Sequence, residues 1–209
     1  MIHPEKAKQL DRYVETIEFN GLVWGITAML SAPVLMGGCY LFVRMRQKYG
    51  ISVREYLALK KLTWKDWLIW PAATIGFVIA MDWVLQLAGA PEMDPWMEKM
   101  ANNATYFGWM AIAVVITAPL TEEFLFRGFL FRGWQNRIGV PLTILVTSLL
   151  WTVIHVQYTI YGLAFIFCIG IFLGIARVVT GNLWVPILIH FVNNTWSTIG
   201  MYFFMRETN

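Results

Sequence analysis

Thr121-Glu122-Glu123-Phe124-Leu125-Phe126-Arg127-Gly128 stands inside an apolar run that begins near Tyr106 and continues through Phe131. Two adjacent carboxylates and a guanidinium are expensive there. At the centre of a spanning helix each costs roughly 2.5 to 3.5 kcal/mol on insertion scales. A chain keeps such groups where they face a partner, a polar cavity or a substrate. The reading of the molecule therefore turns on what Glu122 and Glu123 are for.

Of the 209 residues, 58% are hydrophobic and 14% charged. A soluble domain carries about 25% charged residues, so the composition is that of an integral membrane protein. The net charge of +3 is modest and its basic residues sit beside apolar stretches, a pattern of membrane topology and not of nucleic-acid binding. Cys39 and Cys168 both fall within apolar stretches and suggest neither a disulfide framework nor a cysteine metal site. No cleavable signal is visible at the start: residues 1–18 are polar and charged.

The chain reads as all-α, a polytopic membrane protein with about six transmembrane helices whose last four form a catalytic core. Spans are expected over Phe19–Val43, Trp67–Gly89, Tyr106–Trp134, Val140–Val156, Ile160–Val179 and Leu183–Phe204. Residues 1–104 would hold a charged surface segment, two spans and a basic connector; residues 105–209 would hold the core. Ile51 to Trp67 mixes leucines and tryptophans with lysines and reads either as a partly amphipathic connector along the membrane surface or as an ordinary basic loop. Asp82, alone in the second span, is read as structural. The Val140-Pro141 start suits proline in a first helical turn, and Thr180-Gly181-Asn182 reads as a helix end.

Even span number places both ends on one side, with Lys6, Lys8, Arg12, Lys99 and Arg206. The other side receives Arg44, Arg46, Lys48, Arg54, Lys60, Lys61, Lys65, Arg127, Arg132, Arg137 and Arg177. The positive-inside tendency puts the second set in the cytoplasm and both termini outside, with a cell-membrane location. The catalytic cavity is expected to open to the cytoplasm.

Only His3, His155 and His190 are histidines, and two lie in apolar stretches. Positions four apart are neighbours on a helix, so Glu123 shares a face with Arg127, Trp151 with His155, and His190 with Asn194. Glu122 points about 100° away from Glu123, and the two need not share a role. Counted from presumed cytoplasmic ends at 1.5 Å per residue, Glu122 lies roughly 18 Å deep, His155 roughly 22 Å and His190 roughly 11 Å. Within a turn of error, three helices offer Glu, His and His with Asn at one level.

Glu122-Glu123-x-x-x-Arg127, aromatic-x-x-x-His155 and His190-x-x-x-Asn194, in this order on successive spans, resemble the CPBP intramembrane proteases. That superfamily holds the type II CAAX prenyl endopeptidases and the bacterial Abi proteins linked to bacteriocin self-immunity. The resemblance covers about residues 105–200. Trp151 stands where the family usually has Phe, and an indole fills the same packing role. The resemblance implies an intramembrane endopeptidase in which Glu122 activates a water that His155 helps to hold. His190 and Asn194 would stabilise the oxyanion, and Glu123 with Arg127 would form a supporting pair. Glu122, His155 and His190 also have the composition of a three-ligand zinc site with one open position. The family has been described both as metalloproteases and as metal-independent glutamate proteases, so Zn2+ stays open here.

The implied partner is a membrane-associated or lipid-modified protein or peptide substrate in a lipid bilayer. Two other readings stand beside the enzyme: a non-catalytic bacteriocin self-immunity or scaffold protein of the same fold, and a small proton-coupled transporter. Intact, costly polar motifs argue against the first, and the lack of repeated halves argues against the second.

Overall fold

The computed structural model describes residues 4–45, 50 and 52–208. His3, Arg46, Lys48 and Ile51 lie outside the described residues. Among the described residues the secondary structure is helical: α1 (Pro4–Glu18), α2 (Gly21–Met45), α3 (Val53–Tyr56), α4 (Trp64–Leu87), α5 (Pro95–Asn103), α6 (Phe107–Ile138), α7 (Val140–Val153), α8 (Ile160–Thr180) and α9 (Trp184–Thr208).

Four of these are long and apolar enough to cross a membrane: α2, α4, α6 and α8. Leu30, Val34 and Leu41 of α2 and Trp83 and Leu87 of α4 are exposed, as lipid-facing side chains must be. These helices make the chain an integral, multi-pass membrane protein. α7 is apolar but has only 14 residues, about 21 Å of helix against a hydrocarbon core of about 30 Å. α9 is long, but His190, Asn193 and Asn194 interrupt its apolar character. The expected count of six therefore rests on four clear spans and two helices that fall short by length or polarity.

α6 is not a uniform α-helix. It widens to π geometry over Ala113–Thr117 and again over Phe124–Leu130. In the first widening Ala118 N–H reaches five residues back to Ala113. The next amide in line would be that of Pro119, which has none, so the carbonyl of Val114 is left without a helical donor. In the second, Phe131 N–H reaches back to Phe126. Return to the four-residue spacing then passes over the carbonyl of Arg127. A buried carbonyl needs a donor, and each finds one on another helix. Asn194 Nδ2 donates to Val114 O at 2.8 Å, and Arg177 Nε donates to Arg127 O at 3.0 Å.

α7 and α8 approach closely because α8 carries Gly170 and Gly174. A Cβ at Gly174 would sit 2.9 Å from Ile144, and one at Gly170 would sit 3.2 Å from the indole of Trp151. Small residues at this spacing let helix backbones meet, and here the contact fixes where Trp151 stands. Gly139, at φ +80°, makes the corner between α6 and α7. Gly181, at φ +54°, ends α8 as expected and donates to Arg177 O.

The connector after α2 does more than lie on a surface. Leu57 is buried with Phe124 and Leu183, Leu183 N–H donates to Ala58 O at 3.0 Å, and Lys60 N–H donates to Asn182 Oδ1 at 3.4 Å. At the opposite end of the molecule Phe19, Met100, Met110 and Met201 form a second apolar cluster, which joins the start of α2, α5, the start of α6 and the later part of α9. Arg127 and Arg177, expected among the cytoplasmic basic residues, are buried. They do internal work and leave the remaining basic residues of that side to set topology.

Candidate active site

A cavity of about 370 Å³ runs between these two ends and is lined by Glu122, Trp151, His155, His190 and Asn194. Its volume falls within the range of small-ligand sites. Its lining also includes Glu92 and Asp94 of the α4–α5 connection, Gln157 and Thr159 of the α7–α8 turn, and Met201. These belong to the end of the molecule that holds the start of α2 and the later part of α9, not to the end of the basic connector. These lining residues lie opposite the basic connector.

Glu122 and Glu123 have different surroundings, as their 100° separation predicts. Glu123 is fully buried. Its Oε1 accepts from Arg127 Nη1 at 2.9 Å and from His190 Nδ1 at 3.0 Å. Arg127, also fully buried, extends Nη2 to Gly170 O at 3.0 Å, and its guanidinium lies 4.8 Å from the Trp151 ring centroid. Burying such charges is tolerable where they are paired and hydrogen-bonded. Glu122 instead reaches the cavity, and its Oε2 accepts from Trp151 Nε1 at 2.5 Å.

Trp151, the aromatic of the second motif, has a role that the motif does not reveal. Its ring stands edge to face with His155 and with His190, at 5.2 Å from each. It is more than a packing equivalent of the family's usual Phe. Its N–H is the signal available in the sequence, since a buried indole normally finds an acceptor. His155 is not inside a helix as expected. α7 stops at Val153, because the Trp151 carbonyl takes His155 Nδ1–H at 2.7 Å while the His155 amide shifts to Thr152 O at 2.9 Å. A carbonyl can only accept, so His155 carries a proton on Nδ1 and leaves Nε2 for other partners.

Asn194 lines the cavity, but one of its amide hydrogens is committed to Val114 O. Its Oδ1 accepts from Asn193 Nδ2 at 3.1 Å. Asn193, which no motif singles out, is buried with its own Oδ1 unpaired. Asp82 borders the same cavity from α4, which moves it from an isolated acid to a wall residue. As for zinc, among the described residues no three His, Cys, Asp or Glu side chains are grouped as a ligand set. The Trp151 indole occupies the space between Glu122 and the two imidazoles. The residues as arranged do not fit a three-ligand site, and no step is derived through a metal.

With this geometry in place, comparison with known proteins narrows the reading. The family model for type II CAAX prenyl endopeptidase Rce1-like proteins matches residues 104–196. This stretch holds every one of the proposed site residues. Over this stretch the chain is similar to the CPBP family. The CPBP match is joined by similarity to the "Membrane-embedded CAAX protease MroQ" of Staphylococcus aureus (strain USA300), 28% identical over 62% of this chain and 57% of that protein. An "Uncharacterized 24.3 kDa protein" of Escherichia coli is 28% identical over 88% of this chain and 91% of its own length. No solved structure matches. The matched stretch is thus similar to a family whose printed description is that of an endopeptidase.

Proposed function

We propose that this chain is an intramembrane endopeptidase that cleaves a peptide bond of a membrane-associated or lipid-modified protein by means of a glutamate-activated water. The observation that carries the reading is the separation of two adjacent carboxylates. Glu123 is used up behind the site by Arg127 and His190, while Glu122 meets the cavity beside His155. Glu122 takes the proton of the attacking water. His155, protonated on Nδ1, holds that water through the lone pair of Nε2. His190, fixed by Glu123 at Nδ1, stabilises the oxyanion when Nε2 also carries a proton, and the remaining amide hydrogen of Asn194 assists. Donors held ready for a developing charge are an effective source of catalysis because they need no reorganisation.

Residues 105–209 then act as the catalytic core, and residues 1–104 close and support it. In the cell membrane the basic connector faces the cytoplasm, so the cavity and both termini face outward. Purified protein supplied with a membrane-anchored peptide tests the activity. Glu122→Ala should lower kcat/KM by about 100- to 10,000-fold, the usual weight of a general base. Turnover that survives Glu122→Ala overturns the reading. Wild-type turnover lost to a strong chelator and restored by zinc would replace the water-only scheme with a metal one.

A further inference from the structure

The α4–α5 connection and α5 itself roof the cavity, and they are clipped to the turn that carries His155. Tyr161 Oη donates to Ala88 O at 3.1 Å. Further along the same connection, Asp94 makes the closer attachment. Its Oδ2 accepts from Thr159 N–H at 3.0 Å and from Thr159 Oγ1 at 2.6 Å, and its Oδ1 accepts from Trp96 N–H at 3.0 Å. One carboxylate thus caps the first turn of α5 and also binds the capping residue of α8, since Thr159 Oγ1 in turn accepts from Gly162 N–H. Both helix N-termini favour a negative charge. Space for it is provided by Gly162: a Cβ there would sit 2.7 Å from Asp94 Oδ2 and 2.9 Å from Tyr158 Cβ.

We infer that Asp94 is a positioning residue for the reaction, holding the 154–159 turn so that His155 presents Nε2 beside Glu122. The inference rests on the proposed role of His155. Only Val156, Gln157 and Tyr158 separate His155 from Thr159, and Tyr158 N–H donates back to His155 O at 3.1 Å. The turn is tight, and a shift at Thr159 is carried to the imidazole. A second route runs through rings. Trp96, adjoining the Asp94 cap, lies 5.2 Å from Tyr158, which lies 6.2 Å from His155. Asp94 and Thr159 both line the cavity. Asp94 lies outside the CPBP match, so it ties the first half of the chain to the chemistry of the second.

The test uses full-length protein in nanodiscs with 15N-labelled histidine. The chain has three histidines, so His155→Gln and His190→Gln assign the relevant signals. In Asp94→Ala the His155 ring signals should move while those of His190 stay. kcat should fall by about tenfold to a hundredfold, the scale of a misplacement near 1 Å, with KM less affected. Thr159→Val should act in the same direction, and Thr159→Ser, which keeps the hydroxyl, should retain wild-type signals and rate. Unmoved His155 signals in both Asp94→Ala and Thr159→Val, or equal displacement of both histidines, would overturn the inference. The ring signals judge Asp94 even where wild-type protein cuts nothing, so a failure of the protease reading is separately visible.

Discussion

Trp151 donates its indole N–H to Glu122 at 2.5 Å and places the same ring against both cavity histidines. One side chain therefore holds the proposed base and spaces its two partners. Trp151→Phe keeps the ring and deletes the donor. A hydrogen bond to a charged group contributes about 1.5–3 kcal/mol to stability, so the thermal midpoint should fall modestly, and kcat should fall by about tenfold or more as Glu122 loses its anchor. Trp151→Ala should instead lower stability by about 3–5 kcal/mol through the cavity it leaves. Parallel kinetics and thermal unfolding in detergent separate the two effects.

The neighbouring carboxylates should fail in different ways. Glu122→Gln is expected to lower kcat/KM by about 100- to 10,000-fold and leave unfolding unchanged. Glu123→Ala strands the buried Arg127 guanidinium without its counter-charge, a loss of about 3–5 kcal/mol. A thermal midpoint for Glu123→Ala equal to wild type would show that the pair is not what holds α6 in place.

Asn194 has a structural duty beside its proposed catalytic one. Asn194→Ala leaves the Val114 carbonyl, already deprived of a helical donor by Pro119, without a partner. The expected cost is about 1–3 kcal/mol of stability in addition to lost turnover. Unchanged unfolding in this variant would assign Asn194 to the reaction alone.

Sidedness can be read by cysteine labelling after Cys39→Ala and Cys168→Ala. With Glu92→Cys on the cavity lining, an impermeant maleimide should react on intact cells. With Ser52→Cys, in the basic connector, it should react only after permeabilisation. The reverse pattern would place the cavity in the cytoplasm and the termini with it.

Much of the site is legible in the order of residues. The spacing of Glu123 and Arg127 predicts their pairing, because a helix brings positions four apart together whatever surrounds it. Gly181 and Pro141 mark helix boundaries for equally local reasons, the one by its freedom at positive φ and the other by its fitness for a first turn. Long apolar runs announce the membrane, since a bilayer demands a continuous stretch that composition alone reveals. The position of His155 is not legible, because its imidazole competes with its own amide for the Trp151 carbonyl and ends the helix early.

What the sequence by itself determined was which costly groups the chain carries and which of them share a helix face, as both follow from covalent order and helical period. Tertiary structure decided which groups meet across helices. The bond from His190 to Glu123 spans 67 positions, and it exists because α9 packs directly against α6. The π turns of α6 were likewise settled at a distance, for each leaves a carbonyl that only a side chain from α8 or α9 can satisfy. Local periodicity cannot encode such contacts, because their energy is gained only after the helices have packed.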